Sequence, residues 1–340
     1  MGIYVNGIGL ISPQETLDNK VFLESTIELE NTYFPIAKPP YKAYINARDL
    51  RRMSLVIRHG IIAAKIALAD AKIENPDAIM TGTGLGCVID TEKFLIKMHE
   101  NKETLLTPTS FIQSTHNTLG GSIAIGLGCH NYNMTFVNRG FSFESALLDA
   151  QLMLEQGEIN NALVGGFDEM TDNHIQLMLA MPMYKPENGV KVGQGSGFFV
   201  LENQKHEQSY AELLAMETLY RPSDSAFDEK LRTLKKQFHL SSENTVLLLG
   251  HNGAKKEAEI YNAFARAYFP EATVTAFKHL CGDYYTASAF AFWVASQMLK
   301  KQSIPKTLLR SDFHNDIIDN VLIYNRFNET EHSLILLKRC

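Results

Sequence analysis

The sequence has few cysteines, and they form no pattern that would hold a metal ion. Its four cysteines, Cys87, Cys129, Cys281 and Cys340, include no C-x-x-C pair and no histidine at a spacing typical of zinc sites. We therefore expect no metal, and four reduced thiols of the kind found in cytosolic proteins.

The sequence also lacks an excess of positive charge and any long hydrophobic run. Its 32 basic and 38 acidic residues give a net charge of −6, which argues against nucleic acid as the main partner. No apolar run approaches the roughly 20 residues that a membrane span needs. The opening MGIYVNGIGL has no basic region followed by a long apolar core, so no secretory signal is expected. These absences predict a soluble, cytoplasmic protein.

The 340 residues are otherwise those of an ordinary globular protein, in which strand-like and helix-like runs alternate. Strand-like runs lie at 3–11, 78–83, 134–137, 162–166, 195–202, 209–216, 245–249, 272–276, 320–324 and 333–337, with 195–202 and 209–216 expected to pair. Helical runs lie at 50–71, 114–127 (expected to be buried), 143–156, 223–238, 257–267 and 284–299.

This alternation predicts the fold class. Strands separated by helices imply right-handed βαβ units and a mostly parallel sheet. The second half of the chain repeats the plan of the first, with the two halves meeting near residue 205. We therefore expect an internally duplicated α/β fold, with residues 1–205 and 206–340 as its halves in one compact body.

Three loops follow predicted strands, at residues 138–141, 250–253 and 278–283. In open α/β sheets the site lies beyond the carboxyl ends of the strands, so these loops are the candidate site. The first loop lies within TFVNRGFSFESALLDA, a strand, a glycine-bearing turn and a helix. The N-terminus of such a helix would lower the pKa of a thiol and hold an oxyanion. The turn itself, Asn-Arg-Gly, contains no nucleophile.

In this order, the motifs of the chain resemble those of the β-ketoacyl synthases of the thiolase superfamily. The matching segments are VNGIGLISP, AIMTGTGLG, the stretch from GGSIAIGLG to VGGFDE, NGVKVGQGSGFFVLE, LLLGHNG and FKHLCGDYYTASAF. The resemblance implies a thiolase-like fold, in which two duplicated βαβαβ halves form a layered α/β/α/β/α body.

The family's chemistry uses a cysteine that accepts an acyl chain, two histidines, a lysine and a glutamate. By resemblance, the first histidine is His251, the lysine is Lys278, and Glu259 matches the acidic partner. The nucleophile position falls on Gly140, and the second histidine position falls on Asp283, which cannot donate to an enolate while ionised. The resemblance thus implies a remnant site.

Contacts with the phosphopantetheine arm of an acyl carrier protein are also altered. Gly253 and Ala254 stand where the family has threonines, and YNRFNETEHS replaces a glycine-rich loop. The resemblance is therefore to a degenerate member of the chain-length-factor type. No bound cofactor is implied, although the phosphopantetheine of a carrier protein could enter. The candidate residues that line or plug the acyl tunnel are Arg139, Phe141, Phe143 and Met134.

The resemblance implies two kinds of function. As a non-catalytic partner, the chain would pair with an active β-ketoacyl synthase through residues 134–137 and shape fatty-acid, polyketide or polyene chains made on an acyl carrier protein. Alternatively it would be a homodimeric decarboxylase or acyltransferase that acts on carrier-protein thioesters through His251 and Lys278. An active 3-oxoacyl synthase is the weaker alternative, because it requires Cys281 as the nucleophile.

Two structural roles compete with these site assignments. Lys278 could form a buried ion pair with Glu259 or Asp283, which would stabilise the loops without chemistry. Arg139 would place its charge in the emptied site, where it would either plug the site or meet Glu144.

Overall fold

A computed structural model describes residues 2–27, 33–36, 38–106, 108–312 and 317–340. The strands are β1 (Tyr4–Ile11), β2 (Ala78–Gly82), β3 (Tyr132–Phe136), β4 (Asn161–Asp168), β5 (Gly195–Glu202), β6 (Ala211–Tyr220), β7 (Thr245–Leu249), β8 (Val274–Ala276), β9 (Asn320–Phe327) and β10 (Glu331–Lys338). The helices are α1 (Tyr41–Tyr44), α2 (Ala47–Leu50), α3 (Leu55–Ala71), α4 (Val88–Glu100), α5 (Pro108–Ser114), α6 (Thr118–Leu127), α7 (Ser142–Gln156), α8 (Asp172–Ala180), α9 (Asp224–Gln237), α10 (Lys255–Tyr268), α11 (Lys278–Cys281) and α12 (Ala287–Lys301).

The strand order shows the internal duplication directly. The ten strands form one sheet in the order β3-β2-β4-β5-β1-β6-β10-β9-β7-β8. Read outward from the centre, the first half runs 1-5-4-2-3 and the second half repeats that order as 6-10-9-7-8. Within the sheet, the two halves meet where Tyr4 and Val5 of β1 pair with Glu212 and Ala211 of β6. The predicted duplicated α/β fold is confirmed, whereas the division at residue 205 stays a prediction.

Two expectations about strand pairing are wrong. The sheet is not mostly parallel, because β1–β5, β4–β5, β1–β6, β6–β10 and β9–β10 are antiparallel and only the pairs made by β2 and β7 are parallel. The runs at 195–202 and 209–216 do not pair with each other either. β5 lies between β4 and β1, and β6 pairs with β10 and β1. Propensity predicted the strands, but their partners depend on contacts between distant segments.

The helices form three layers. Hydrophobic cores lie between these helical layers and the half-sheets. Helices α7 and α12 contact strands of both halves, and α12 is buried from Ala287 to Leu299. Helices α3 and α6 cover the other face of the first half, and α9 and α10 cover that of the second. The layered α/β/α/β/α body is therefore confirmed. None of the helices in the described residues is long and apolar enough to cross a lipid bilayer.

The edge of the first half is more exposed than its composition predicts. The apolar helix expected to be buried begins at Thr118 as α6, and it buries only Leu119, Gly120 and Ile123. Its Ile125 is 85% exposed. The reason is position, since α6 packs beside the edge strand β3 rather than between the half-sheets. Whether an apolar helix is buried therefore depended on its neighbours in the fold.

Candidate functional site

The three predicted loops follow β3, β7 and β8, and two of them bond to the turn between β9 and β10 or to the residue just before it. We call residues 327–331 the C-terminal turn. Glu331 of this turn accepts a hydrogen bond from Gly140, and Lys278 donates to the carbonyl of Arg326 just before it (3.1 Å). Asn252, from the loop after β7, donates to Asp283 (3.1 Å). The predicted site therefore lies around the C-terminal turn. This turn is part of YNRFNETEHS, the segment for which the sequence predicted a loss of contacts with the phosphopantetheine arm.

The turn after β3 keeps the strand–turn–helix geometry expected of a nucleophile position. Arg139 adopts a left-handed backbone conformation with φ of 51°, which is uncommon for a residue with a side chain. Ser142 begins α7, and its Oγ accepts the Asn138 N–H (2.9 Å) and lies 2.9 Å from the Thr83 carbonyl oxygen. The turn is therefore well anchored, but Gly140 supplies only its backbone.

The retained lysine is engaged in a buried ion pair. Nζ of Lys278 lies 2.8 Å from Oδ1 of Asp283, and the two side chains are 1% and 3% exposed. The expected pairing of Lys278 with Asp283 is confirmed. The residue at the second histidine position is thus the counter-ion of the lysine. Each charge compensates the other in a region that water does not reach.

His251, which the resemblance places at the family's first histidine position, is half-buried. Burial lowers its pKa, and the charges of Arg310 and Lys278 lower it further, so the imidazole is neutral at neutral pH. A second histidine, His279, was not recognised from the sequence. Burial and Arg310 hold its pKa at about 4, and one ring nitrogen lies 2.9 Å from the Thr307 carbonyl oxygen. The sequence signal for His279 was its position directly after Lys278, within the third candidate loop.

Glu259, the expected acidic partner, and its neighbour Glu257 lie in different environments, and the assignment of Glu259 stays a prediction. Glu259 is on the exposed side of α10, whereas Glu257 is buried and pairs with Arg326 at 2.7 Å. Burial raises the pKa of Glu257, while Arg326 and Lys278 oppose that shift. The helical period could have shown this, because Glu257 shares a face with the buried Tyr261 whereas Glu259 does not.

The tunnel candidates lie in different environments. Phe143 is fully buried in the central core and packs against Phe199 and Phe292 with ring centroids 5.7 and 5.8 Å apart. Phe141 is half-buried, whereas Met134 and Arg139 are exposed. The tunnel role of all four residues stays a prediction.

Arg139 does not meet Glu144. Glu144 is fully buried and accepts a hydrogen bond from Ser333 (2.9 Å). Burial raises its pKa to about 7, partly offset by hydrogen bonds. The charge of exposed Arg139 acts instead on Glu331, where burial raises the pKa and the Gly140 hydrogen bond and Arg139 offset only part of that rise.

Cys281 lies close to the ion pair but is unsuited to act as a nucleophile. It is fully buried, and burial raises the pKa of its thiol, so the reactive thiolate is suppressed. In the folded protein we expect iodoacetamide at pH 8 to modify Cys340, the exposed cysteine, at least about 100-fold faster than Cys281. Mass mapping of partly labelled protein measures the ratio, and urea-unfolded protein, in which all four thiols should react, is the control. Equal labelling in the folded state would restore Cys281 as a candidate.

A cavity of about 550 Å³ opens beside the C-terminal turn. Its walls come from residues 183, 187–190, 252–257, 326, 328 and 329. Gly253 and Ala254, which stand at the expected threonine positions, are among the lining residues. Lys256 pairs with Glu329 across its rim at 2.8 Å. The C-terminal turn thus contributes Asn328 and Glu329 to the cavity wall.

Sequence comparison identifies the family. The model of the beta-ketoacyl synthase N-terminal domain matches residues 24–207, slightly more than half of the chain. The chain therefore belongs to the β-ketoacyl synthase family, as the motifs predicted. It is similar to 3-oxoacyl-[acyl-carrier-protein] synthase 2 of Vibrio cholerae, with 24% identity over 198 residues, and to that of Vibrio harveyi, with 23%. Each match covers 50% of this chain and 48% of the relative, so the alignment spans about half the length of these curated relatives.

Solved structures extend the likeness of fold to the whole chain. AntDE:AntF, a type II PKS acyl-carrier protein in complex with its ketosynthase, and the ishigamide ketosynthase/chain length factor each superpose with a TM-score of 0.77. Their identities are 16% and 17%, and each superposition covers 100% of this chain and 99% of the other. At this level of identity the likeness establishes the thiolase-like fold.

Proposed function

We propose that this chain is a non-catalytic, chain-length-factor-type partner of an active β-ketoacyl synthase in fatty-acid, polyketide or polyene assembly. The observation that carries the proposal is the buried Lys278–Asp283 ion pair, which uses both the lysine and the second histidine position. Gly140 leaves the site without a nucleophile. The ion pair leaves it without free hydrogen-bond donors at the lysine and second histidine positions.

The chemistry of the family explains why these losses matter. Acyl transfer needs a nucleophile, and enolate stabilisation needs donors aimed at the developing negative charge. Ionised Asp283 is an acceptor only, and it would repel that charge. Gly140 can form no thioester. His251 keeps the residue type of the family, but one neutral imidazole replaces neither the nucleophile nor the second donor.

The edge strand β3 supports a partner role. Among the described residues β3 pairs only with β2, and its Tyr132 and Met134 are 37% and 41% exposed. Leu148 and Leu152 of the adjoining α7 are also exposed. An open edge with an apolar surround is suited to strand addition by another chain. We propose that the partner synthase pairs here, and that the acyl carrier protein delivers its phosphopantetheine to the partner's site.

The second candidate is a decarboxylase or acyltransferase that uses His251. The neutral, half-buried imidazole at the retained position favours it. Against it stands the engagement of Lys278 by Asp283. Intact-mass spectrometry with acyl- and malonyl-carrier protein decides between the two. The proposal expects no acyl adduct and no carbon dioxide release from the chain alone, and a changed product length with the co-expressed synthase. An adduct, carbon dioxide release or an unchanged product spectrum contradicts it.

A charge on β3 should weaken the complex. We expect Met134→Glu to reduce affinity for the synthase at least about tenfold, because a carboxylate would be buried at a strand pairing. Analytical ultracentrifugation of the mixture measures this. Tyr220→Glu is the matched control, since Tyr220 is exposed on β6, far from β3 in the sheet order. Equal weakening by both variants, or by neither, would remove β3 from the interface.

A further inference from the structure

The space for a side chain at position 140 is already filled. Gly140 is buried. A Cβ atom built there would clash with Oε2 of Glu331, and it would lie 2.6 and 2.8 Å from Cβ and Cγ of Phe327. Folded interiors do not tolerate such approaches without displacement of one partner. No nucleophile of any kind fits position 140 while the C-terminal turn keeps this position.

The backbone hydrogen-bond donor of Gly140 is also already paired. The Gly140 N–H donates to Oε2 of Glu331 at 3.1 Å. This N–H lies just before α7, where backbone donors and the helix dipole favour a negative group. Burial raises the pKa of Glu331, and the Gly140 hydrogen bond and the positive charge of Arg139 offset part of that rise. The Glu331 carboxylate thus takes a donor that could otherwise hold a developing oxyanion.

Several contacts hold the C-terminal turn in this place. Asn328 and Glu329 both have left-handed backbone conformations, with φ of 49° and 60°, which reverse the chain between β9 and β10. The ring of Phe327 packs on Tyr285 with centroids 4.7 Å apart. Before the turn, the side chain of Arg326 is fixed by Glu257 at 2.7 Å. The turn is therefore supported by a buried ion pair and by ring packing.

We infer that the C-terminal turn is an internal ligand of the emptied nucleophile site, with Glu331 on the Gly140 N–H and Phe327 in the side-chain space. An acyl thioester cannot reach that donor while the turn is seated. The inference goes beyond the partner role, because it states what occupies the site of this chain. It is tested on the chain alone, so its failure would be distinguishable from failure of the proposed function.

Amide hydrogen exchange of the unmodified chain tests the hydrogen bond. We expect Glu331→Ala to speed exchange of the Gly140 amide at least about tenfold, because its acceptor is removed. Glu331→Gln should largely preserve protection, since its side-chain carbonyl can accept the same bond. The Gly121 amide, which donates to the Asn117 carbonyl within α6, is the control and should not change. An unprotected Gly140 amide in the unmodified chain, or no response to Glu331→Ala, overturns the inference.

Thiol accessibility tests the filled space. In a Cys340→Ser background, which removes the exposed native thiol, we expect Gly140→Cys to label with iodoacetamide at least about 100-fold more slowly than Gly121→Cys. A Cβ at Gly121 meets no atom within 4 Å, so that site is a matched open control. Adding Glu331→Ala to Gly140→Cys should raise its labelling rate at least about tenfold. Equal labelling of the two folded cysteine variants overturns the inference, and if Gly140→Cys does not fold, the exchange measurement decides.

Discussion

Lys278→Met is expected to lower the free energy of unfolding by about 3–5 kcal/mol, because it leaves the Asp283 carboxylate buried without its counter-charge. The two side chains are 1% and 3% exposed and lie 2.8 Å apart. The substitution also removes the hydrogen bond from Lys278 to the Arg326 carbonyl. Urea denaturation of the chain at pH 7, followed by circular dichroism, measures the loss.

A double-mutant cycle separates the ion pair from general packing. The variant Lys278→Met/Asp283→Asn removes both charges and keeps an oxygen that can accept the Asn252 bond. We expect it to be more stable than the sum of the single substitutions predicts, with a coupling energy of at least about 2 kcal/mol. The exposed Lys230–Glu217 pair, 3.0 Å apart, is the matched control, and its coupling should stay below about 1 kcal/mol. Additive losses at Lys278 and Asp283 would show that the charges are not coupled.

Glu144→Gln is expected to stabilise the protein at pH 8 by about 3 kcal/mol while changing little at pH 4.5. Burial raises the pKa of Glu144 from 4.5 to about 7 in the folded state. The unfolded chain therefore releases the proton first, and stability falls as the pH rises from about 4.5 to about 7. The penalty is absent below this window and fully present above it. The uncharged amide of the variant would carry no such penalty, and its oxygen could still accept the Ser333 bond.

The measurement is the difference in unfolding free energy between the two proteins across pH 4.5–8. Taking the difference is necessary because burial also raises the pKa of Asp168 to about 6 and that of Glu169 to about 8, and both shifts act in the same direction. These groups contribute equally to both proteins, so they cancel. A difference that stays constant with pH would mean that Glu144 titrates at an ordinary pKa in the folded protein.

Much of the architecture could be predicted from local pattern. The strand-like runs became ten strands, with β5 (Gly195–Glu202) and β7 (Thr245–Leu249) matching to the residue. Gly157 ends α7 in a left-handed conformation, as a C-cap glycine should. Helix α4, Val88–Glu100, is not among the helical runs that the sequence predicted, and among its residues only Asp90 is buried.

Pattern was less informative about the site, because a site joins residues that are distant in sequence. The pairing of Lys278 with Asp283 was foreseen since the two lie close together in the chain. The burial of Glu257 and its ion pair with Arg326 follow from the helical period of α10 and from a long-range contact, and the family motif indicates neither. Glu331 was not foreseen at all, since 191 residues separate it from Gly140.

The sequence by itself determined the family and the duplicated α/β plan, and it predicted the loss of the nucleophile, since each of these is written in residue types and their order. Only the tertiary structure decided what replaced the nucleophile. Whether Gly140 faces an empty pocket or a filled one depends on the packing of the β9–β10 connection against the start of α7. That packing is a long-range contact, and no local propensity or spacing encodes it.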